Sequence, residues 1–468
     1  MASQPIPQPP GVPILGNIFD IDPNNTWVSL KTLADKYGEI FKIKALGHQI
    51  VFICSASLLE EVCDETRFRK CVTGPIVEIR YSVNDSLFTA YDHEPSWGIA
   101  HRIMAPGLST SAIRGQVPIM QEVAEQLTAK WAGSEEMPEG GRQFSVVDGL
   151  RRLNIQSTVK CLFSQDISCL EGVEPPVIGA MEGATQEAVK RPTRPKLLNS
   201  LLYQRKFEAY TKTMRDFAAE IVLKRQSQHT TGDMLDALLH RKDPETGKGL
   251  TEREIIDEIV SLLIGSVTAP NFLAFALYYL LRNPRELKIA QEEIDSVFPN
   301  GERMTHEHFA RLPYCEAILR ESMRLSTPAP GFNIEPLPSE HNRGPIQLAG
   351  GKYEIPANQP MISVLAAVNR DPVVFADPEV FRPERMLGVA YGRIPEGVKK
   401  GFGNGKRQCI GKSYAWQWSV VTLVTILRDV DLNIADPGYQ LKMDGAFSLK
   451  PVGFFAVASH RARAPRLT

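Results

Sequence analysis

Phe402-Gly403-Asn404-Gly405-Lys406-Arg407-Gln408-Cys409-Ile410-Gly411 decides how the rest of this chain is read. It sets one cysteine in a glycine-rich loop, and an apolar stretch of helical spacing, Lys412 to Leu427, follows it. A thiolate so placed can ligate a metal. Glycines let the backbone approach a flat group and turn N–H bonds toward the sulfur. Arg407 can answer an anionic substituent on such a group. The alternative is a buried, inert cysteine beside a glycine turn.

The 468 residues allow one large domain or about three smaller ones. An apolar fraction of 43% permits a sizeable core. Lys plus Arg number 53 and Asp plus Glu 54, so no bulk charge points to nucleic acid. The seven cysteines are scattered and contain no Cys-x-x-Cys pair, which suits a reducing compartment rather than a disulfide framework. Met1 to Pro13 lacks a basic segment followed by an apolar one, so no secretion signal is expected and a cytoplasmic location is. Ile259 to Leu281 carries no charge and is long enough to span a bilayer. Gly265, Ser266, Thr268, Pro270 and Asn271 interrupt it, which favours a helix buried through a globular protein over a membrane span.

The apolar periodicity is mainly helical, with a smaller β part near 38–54, 330–400 and 445–460. Ile40 to Ile53 reads as a hairpin. Thr251 with Glu254 reads as a capping box opening a long helix. Helices are expected over Arg285–Phe298, Arg311–Leu325 and Ser413–Val430, and a closing hairpin over 446–459 around Pro451-Val452-Gly453. The basic stretch Lys190 to Lys196 reads as a solvated loop. Glu321 and Arg324 share one helix face and can pair. Trp97 and His101 lie one turn apart, two donors that suit a carboxylate.

The cysteine loop fits Phe-x-x-Gly-x-Arg-x-Cys-x-Gly. With Glu321-Ser322-Met323-Arg324, Phe381-Arg382-Pro383-Glu384-Arg385 and Trp97-Gly98-Ile99-Ala100-His101 in the same order, the chain resembles the cytochrome P-450 family over nearly its whole length. It is most similar to the soluble haem domain of bacterial and fungal fatty-acid hydroxylases fused to their own reductase. Leu33-Ala34-Asp35-Lys36-Tyr37-Gly38-Glu39-Ile40-Phe41, Leu87-Phe88-Thr89 and Lys242-Asp243-Pro244-Glu245-Thr246-Gly247 carry that likeness. The resemblance implies a single haem-binding domain over 1–468, with a linker beginning within 460–468. It implies haem b, with Cys409 as the iron ligand and Trp97, His101, Phe402, Arg407 and Gly411 as further haem contacts. Glu321, Arg324 and Arg382 would form a buried ion network under the haem. Phe88, Ile264, Ala329 and Phe332 would wall the substrate pocket.

The implied activity is a monooxygenase acting with dioxygen on an apolar or mixed small molecule. A diflavin reductase carrying FMN and FAD would pass electrons from NADPH. Two departures stand out. The family's central helix carries an acid beside a threonine for proton delivery; here Ile264-Gly265-Ser266-Val267-Thr268-Ala269-Pro270-Asn271 holds Val267 at the acid position. Thr268 and Asn271, with water, remain as the relay. Pro270 is expected to break the helix again. The loss of the acid also keeps open another reaction class: rearrangement, dehydration, coupling or peroxide-driven oxidation. Second, the arginine and tyrosine that hold a fatty-acid carboxylate in the similar enzymes match His48 and Phe52 here. Neither makes that charge-assisted pair.

Overall fold

A computed structural model describes residues 3–22, 25–45, 47–133, 143–226, 232–338, 344–445 and 447–462. Helices dominate, and small sheets flank them, as the periodicity predicts. A large apolar core surrounds the central helix, which runs Glu252–Ser266 and Thr268–Arg282. The helix after the cysteine loop, Lys412–Asp429, is buried along most of its length, with Trp418 fully enclosed. That burial anchors one end of the loop in rigid structure.

The main sheet has five strands in the spatial order Ile40–Ala45, His48–Ile53, Met361–Ser363, Asn333–Pro336 and Phe68–Lys70. The first two form the expected hairpin, in register Ile40 to Ile53, turning at Gly47 with φ +84°. A second core packs under this sheet and includes Phe332, 9% exposed. The ring of Phe332, expected in the pocket wall, packs in this core beneath the Lys70 ammonium at 5.9 Å.

The closing hairpin is not formed as expected. Lys450–Val452 pairs with Lys442–Asp444, whereas Phe455–His460 pairs with Val430–Ile434. Gly453, at φ +68°, redirects the chain between two sheets rather than folding it back on one. His460 closes a strand, and Arg461 holds Asp295 at 2.7 Å. Residues 463–468 of the expected linker lie outside the described residues.

Thr251 caps the central helix through the capping box with Glu254. The helix is long and apolar enough to cross a membrane, and 72% of its most apolar window is buried inside the protein. Its interruption falls at Val267, three residues before the proline that was expected to cause it. The geometry explains the shift. Pro270 has no N–H, and its natural acceptor, the Ser266 carbonyl, takes the Asn154 side-chain amide at 3.0 Å instead. The Ser266 hydroxyl donates to Leu263 O at 2.7 Å and the Thr268 hydroxyl to Gly265 O at 3.0 Å. Side chains thus serve the carbonyls that the interruption frees. Pro270 then sits in the first turn of the second segment, where a missing donor costs little.

Candidate active site

The cysteine loop is built by backbone conformation. Gly403 and Gly405 adopt φ +81° and +59°. A side chain at Gly405 would also run into the Glu65 carboxylate, which accepts Lys406 N–H at 2.9 Å. Asn404 donates to Cys63 O at 2.7 Å, and Cys409 N–H closes the loop onto Phe402 O at 2.9 Å. Cys409 emerges with an accessible side chain, unlike most of the other cysteines. Its surroundings still exclude much water: burial pushes the thiol pKa up, while the Gly411 N–H, Lys70 and Lys412 pull it down. All four influences act on the thiol–thiolate balance of one sulfur. Among the described residues, no group of three or more His, Cys, Asp or Glu could hold a metal ion.

Aromatic and cationic groups gather beside the loop. Trp97 stacks on His101 with ring centroids 5.0 Å apart. Arg407 lies over the Trp97 ring at 5.2 Å and pairs with Asp92 at 3.0 Å. Arg102 is committed elsewhere, with 2.8 Å to Asp243 and 2.9 Å to Glu245. Burial, and secondarily Arg102, hold the His101 pKa below its ordinary value, so the ring is neutral at pH 7 and offers one N–H.

Sequence reasoning missed Lys70. Its ammonium donates to Arg407 O at 3.0 Å, and burial lowers its pKa while the Cys409 charge would raise it. The strand Phe68–Lys70 carries it there by pairing with Asn333–Pro336. No motif spacing links Lys70 to the loop; only that strand pairing does.

Under the loop, Arg324 pairs bidentately with Glu321 at 2.8 and 2.7 Å and donates to the carbonyls of Asn369, Pro378 and Val380. Both side chains are almost fully buried. The third arginine is not the expected one. Arg382 gives only its backbone N–H to Glu321, at 3.0 Å, and sends its guanidinium to Asp377 on the surface. Arg385 brings its guanidinium within 3.3 Å of Glu321. The 3-10 turn Pro383–Met386 accounts for the exchange, since it starts just after Arg382 and carries Arg385 back toward the helix.

Gly265 and Ala329 keep exposed surface, and Thr268 keeps part of its own, although Leu263, Ile264, Ala269, Pro328 and Pro330 beside them are buried. Phe88 is half-buried and meets Phe447 edge-to-face at 6.2 Å. Ile264 is 1% exposed and packs in the main core. Asn271, expected in the proton relay, donates to Ser448 Oγ at 2.9 Å. Phe52 stacks on Phe41 at 4.9 Å, and His48 sits exposed at the start of its strand, so no cation–hydroxyl pair forms there.

An accessible thiol receiving a backbone N–H, flanked by cations, an indole and an imidazole, suits a planar iron cofactor with acidic substituents. The architecture and this loop define a haem-thiolate protein. The cytochrome P-450 family model matches residues 6–456, and the chain belongs to that family. It is similar to a self-sufficient cytochrome P-450 monooxygenase of Aspergillus kawachii, 36% identical over 456 residues, covering 96% of this chain and 42% of that protein. It is 34% identical over 468 residues to a bifunctional cytochrome P-450/NADPH–P-450 reductase of Acremonium egyptiacum, covering 97% of this chain and 43% of that protein. A similarly named bifunctional protein of Aspergillus oryzae is 35% identical over 464 residues, 98% of this chain and 42% of that protein. The chain thus spans under half the length of these relatives.

Proposed function

We propose that this chain is the haem domain of a monooxygenase. It would insert one atom of dioxygen into an apolar or mixed small organic molecule and release the other as water. Two electrons would come from NADPH through a reductase carrying FAD and FMN. The observation that carries the reading is the accessible Cys409 thiol held in a Gly411 N–H bond, in a chain whose relatives are named as reductase fusions. Haem supplies the oxygen-activating chemistry when bound. Cys409 would ligate its iron. Trp97, His101, Arg407 and Lys70 would hold its acidic substituents, with Phe402 and Gly411 shaping the loop. Glu321, Arg324 and Arg385 would hold the loop in place. Phe88, Ile264, Ala329 and Phe332 would line the substrate side. The absence of a cation–hydroxyl pair at His48 and Phe52 argues against a fatty-acid carboxylate as the recognised group.

The test uses the haem-loaded protein, a diflavin reductase, NADPH and a small-molecule extract, run under isotopically heavy dioxygen. A product carrying one heavy oxygen supports insertion. A product without it, formed also without NADPH, sinks this reading.

One observation favours a second reading, in which the chain catalyses a reaction needing no proton relay. Val267 carries no proton, the Thr268 hydroxyl is turned to Gly265 O, and Asn271 is engaged with Ser448. Val267→Glu separates the two. A deficient relay predicts that coupling of NADPH to product rises roughly tenfold, a modest share of what a positioned acid provides. Unchanged or lower coupling favours the other class.

A further inference from the structure

Glu258 lies on the central helix, 2% exposed, well before the interruption at Val267. Its Oε1 accepts the backbone N–H of Leu87 at 2.8 Å. Its Oε2 is buried without a partner. The same loop is joined to the helix at two further points. Asn84 donates to both oxygens of Asp257 at 3.1 and 3.0 Å, and Ser86 Oγ meets Ser261 Oγ at 2.6 Å. Thr89 donates to Asn84 O at 2.6 Å and tightens the loop on itself. Phe88, next to the tethered Leu87, packs on Phe447.

We propose that Glu258 is a positioning residue for Phe88, tethering it over the pocket while its carboxyl is neutral and releasing it when the carboxyl ionises. The proposal rests on the pocket role given to Phe88 above.

The surroundings make ionisation hard. Burial chiefly, and then Asp257, Asp85 and Glu254, push the Glu258 pKa up to about 8; the Leu87 N–H alone works the other way. Nearby cations are engaged with other groups. Arg215 pairs with Asp257, and Arg253 with Asp257 and Asp85. On the neighbouring elements, Arg80 holds Glu94, Arg151 and Lys450 hold Glu182, Arg194 holds Glu187, and Arg225 holds Asp236. A charged acceptor strengthens the bond to Leu87, but one N–H does not offset an uncompensated charge beside Asp257. Water reaches such a charge when the segment Asn84–Thr89 moves out, and Phe88 moves with it.

The sign follows. The tether is fully present below the lower pKa of the released carboxyl and is lost as pH rises from there to about 8, the value in the tethered state; closure over a ligand weakens across the same range. If closure raises the carboxyl pKa by one unit, affinity changes by roughly tenfold across the transition. The experiment titrates 4-phenylimidazole into the haem-loaded protein from about pH 6 to about pH 9.5, spanning the linkage window, and reads the haem spectrum. The wild type should lose roughly tenfold in affinity. Glu258→Gln, a neutral isostere, should keep the low-pH affinity throughout. Glu258→Ala, if it folds, should bind weakly at every pH. Parallel profiles for the wild type and Glu258→Gln overturn the proposal. Hydrogen exchange at the Leu87 amide gives a readout that needs no haem. Its protection factor should fall as pH rises toward 8 in the wild type and hold in Glu258→Gln; a wild-type factor that holds overturns the proposal equally. A protein that takes up no haem would defeat the functional reading and leave the exchange measurement to decide this one.

Discussion

Cys409→Ser should give a folded protein whose reduced carbon-monoxide complex lacks the red-shifted band of a thiolate haem. The loop's own bonds survive the change. Cys409 N–H to Phe402 O, Asn404 to Cys63 O and Lys406 N–H to Glu65 do not involve the sulfur. The substitution therefore removes one ligand atom and little else. A serine hydroxyl stays protonated where the cysteine is assisted by Gly411, Lys70 and Lys412, so the iron would lose an anionic ligand. Turnover should fall by about a thousandfold or more, some 4 kcal/mol of barrier. Absorbance of the reduced, carbon-monoxide-treated variant is the check. Retention of the red-shifted band would rule Cys409 out as the ligand.

Glu321→Ala should be the most destabilising single change under the loop. It strips Arg324 of two hydrogen bonds and leaves a buried guanidinium with carbonyl partners alone. Arg385 loses its nearby carboxylate as well. Breaking a buried pair from one side costs roughly 3–5 kcal/mol. Haem content per folded chain should drop with stability, because the same helix supports the loop: Gly401 packs against Met323. The arginines provide an internal control. Arg382→Ala removes a surface pair with Asp377 and should cost under about 1 kcal/mol. Arg385→Ala should cost clearly more. Urea unfolding of the three variants checks the order, and equal losses at Arg382 and Arg385 would contradict the network as described.

The two arginines also mark where sequence reasoning stops. Phe381-Arg382-Pro383-Glu384-Arg385 offers two candidates, and nothing in their order tells which guanidinium turns inward. The choice is made by a short 3-10 turn that forms only when Pro383 and Met386 pack. Lys70 was invisible for a related reason. It reaches Arg407 through strand pairing with Asn333–Pro336, a contact between distant parts of the chain. The strands at the end of the chain were legible as strands, but not their partners. By contrast, the features that local chemistry fixes were readable. The capping box at Thr251 and Glu254, the Gly47 hairpin and the Glu321–Arg324 pair need only neighbouring residues. The gathering of Trp97, His101 and Arg407 followed from the order of motifs rather than from any local rule.

Gly265 carries a different kind of consequence. A methyl group added there would meet no protein atom within 4 Å outside its own helix backbone and chain neighbours, and the residue stands in the last turn of the segment Glu252–Ser266. Alanine at that position should strengthen the helix by about 1 kcal/mol, since glycine is the poorer helix former. Side chains of graded size at position 265 would therefore act on whatever the protein binds beside Thr268, cofactor or substrate, rather than on the protein's own packing.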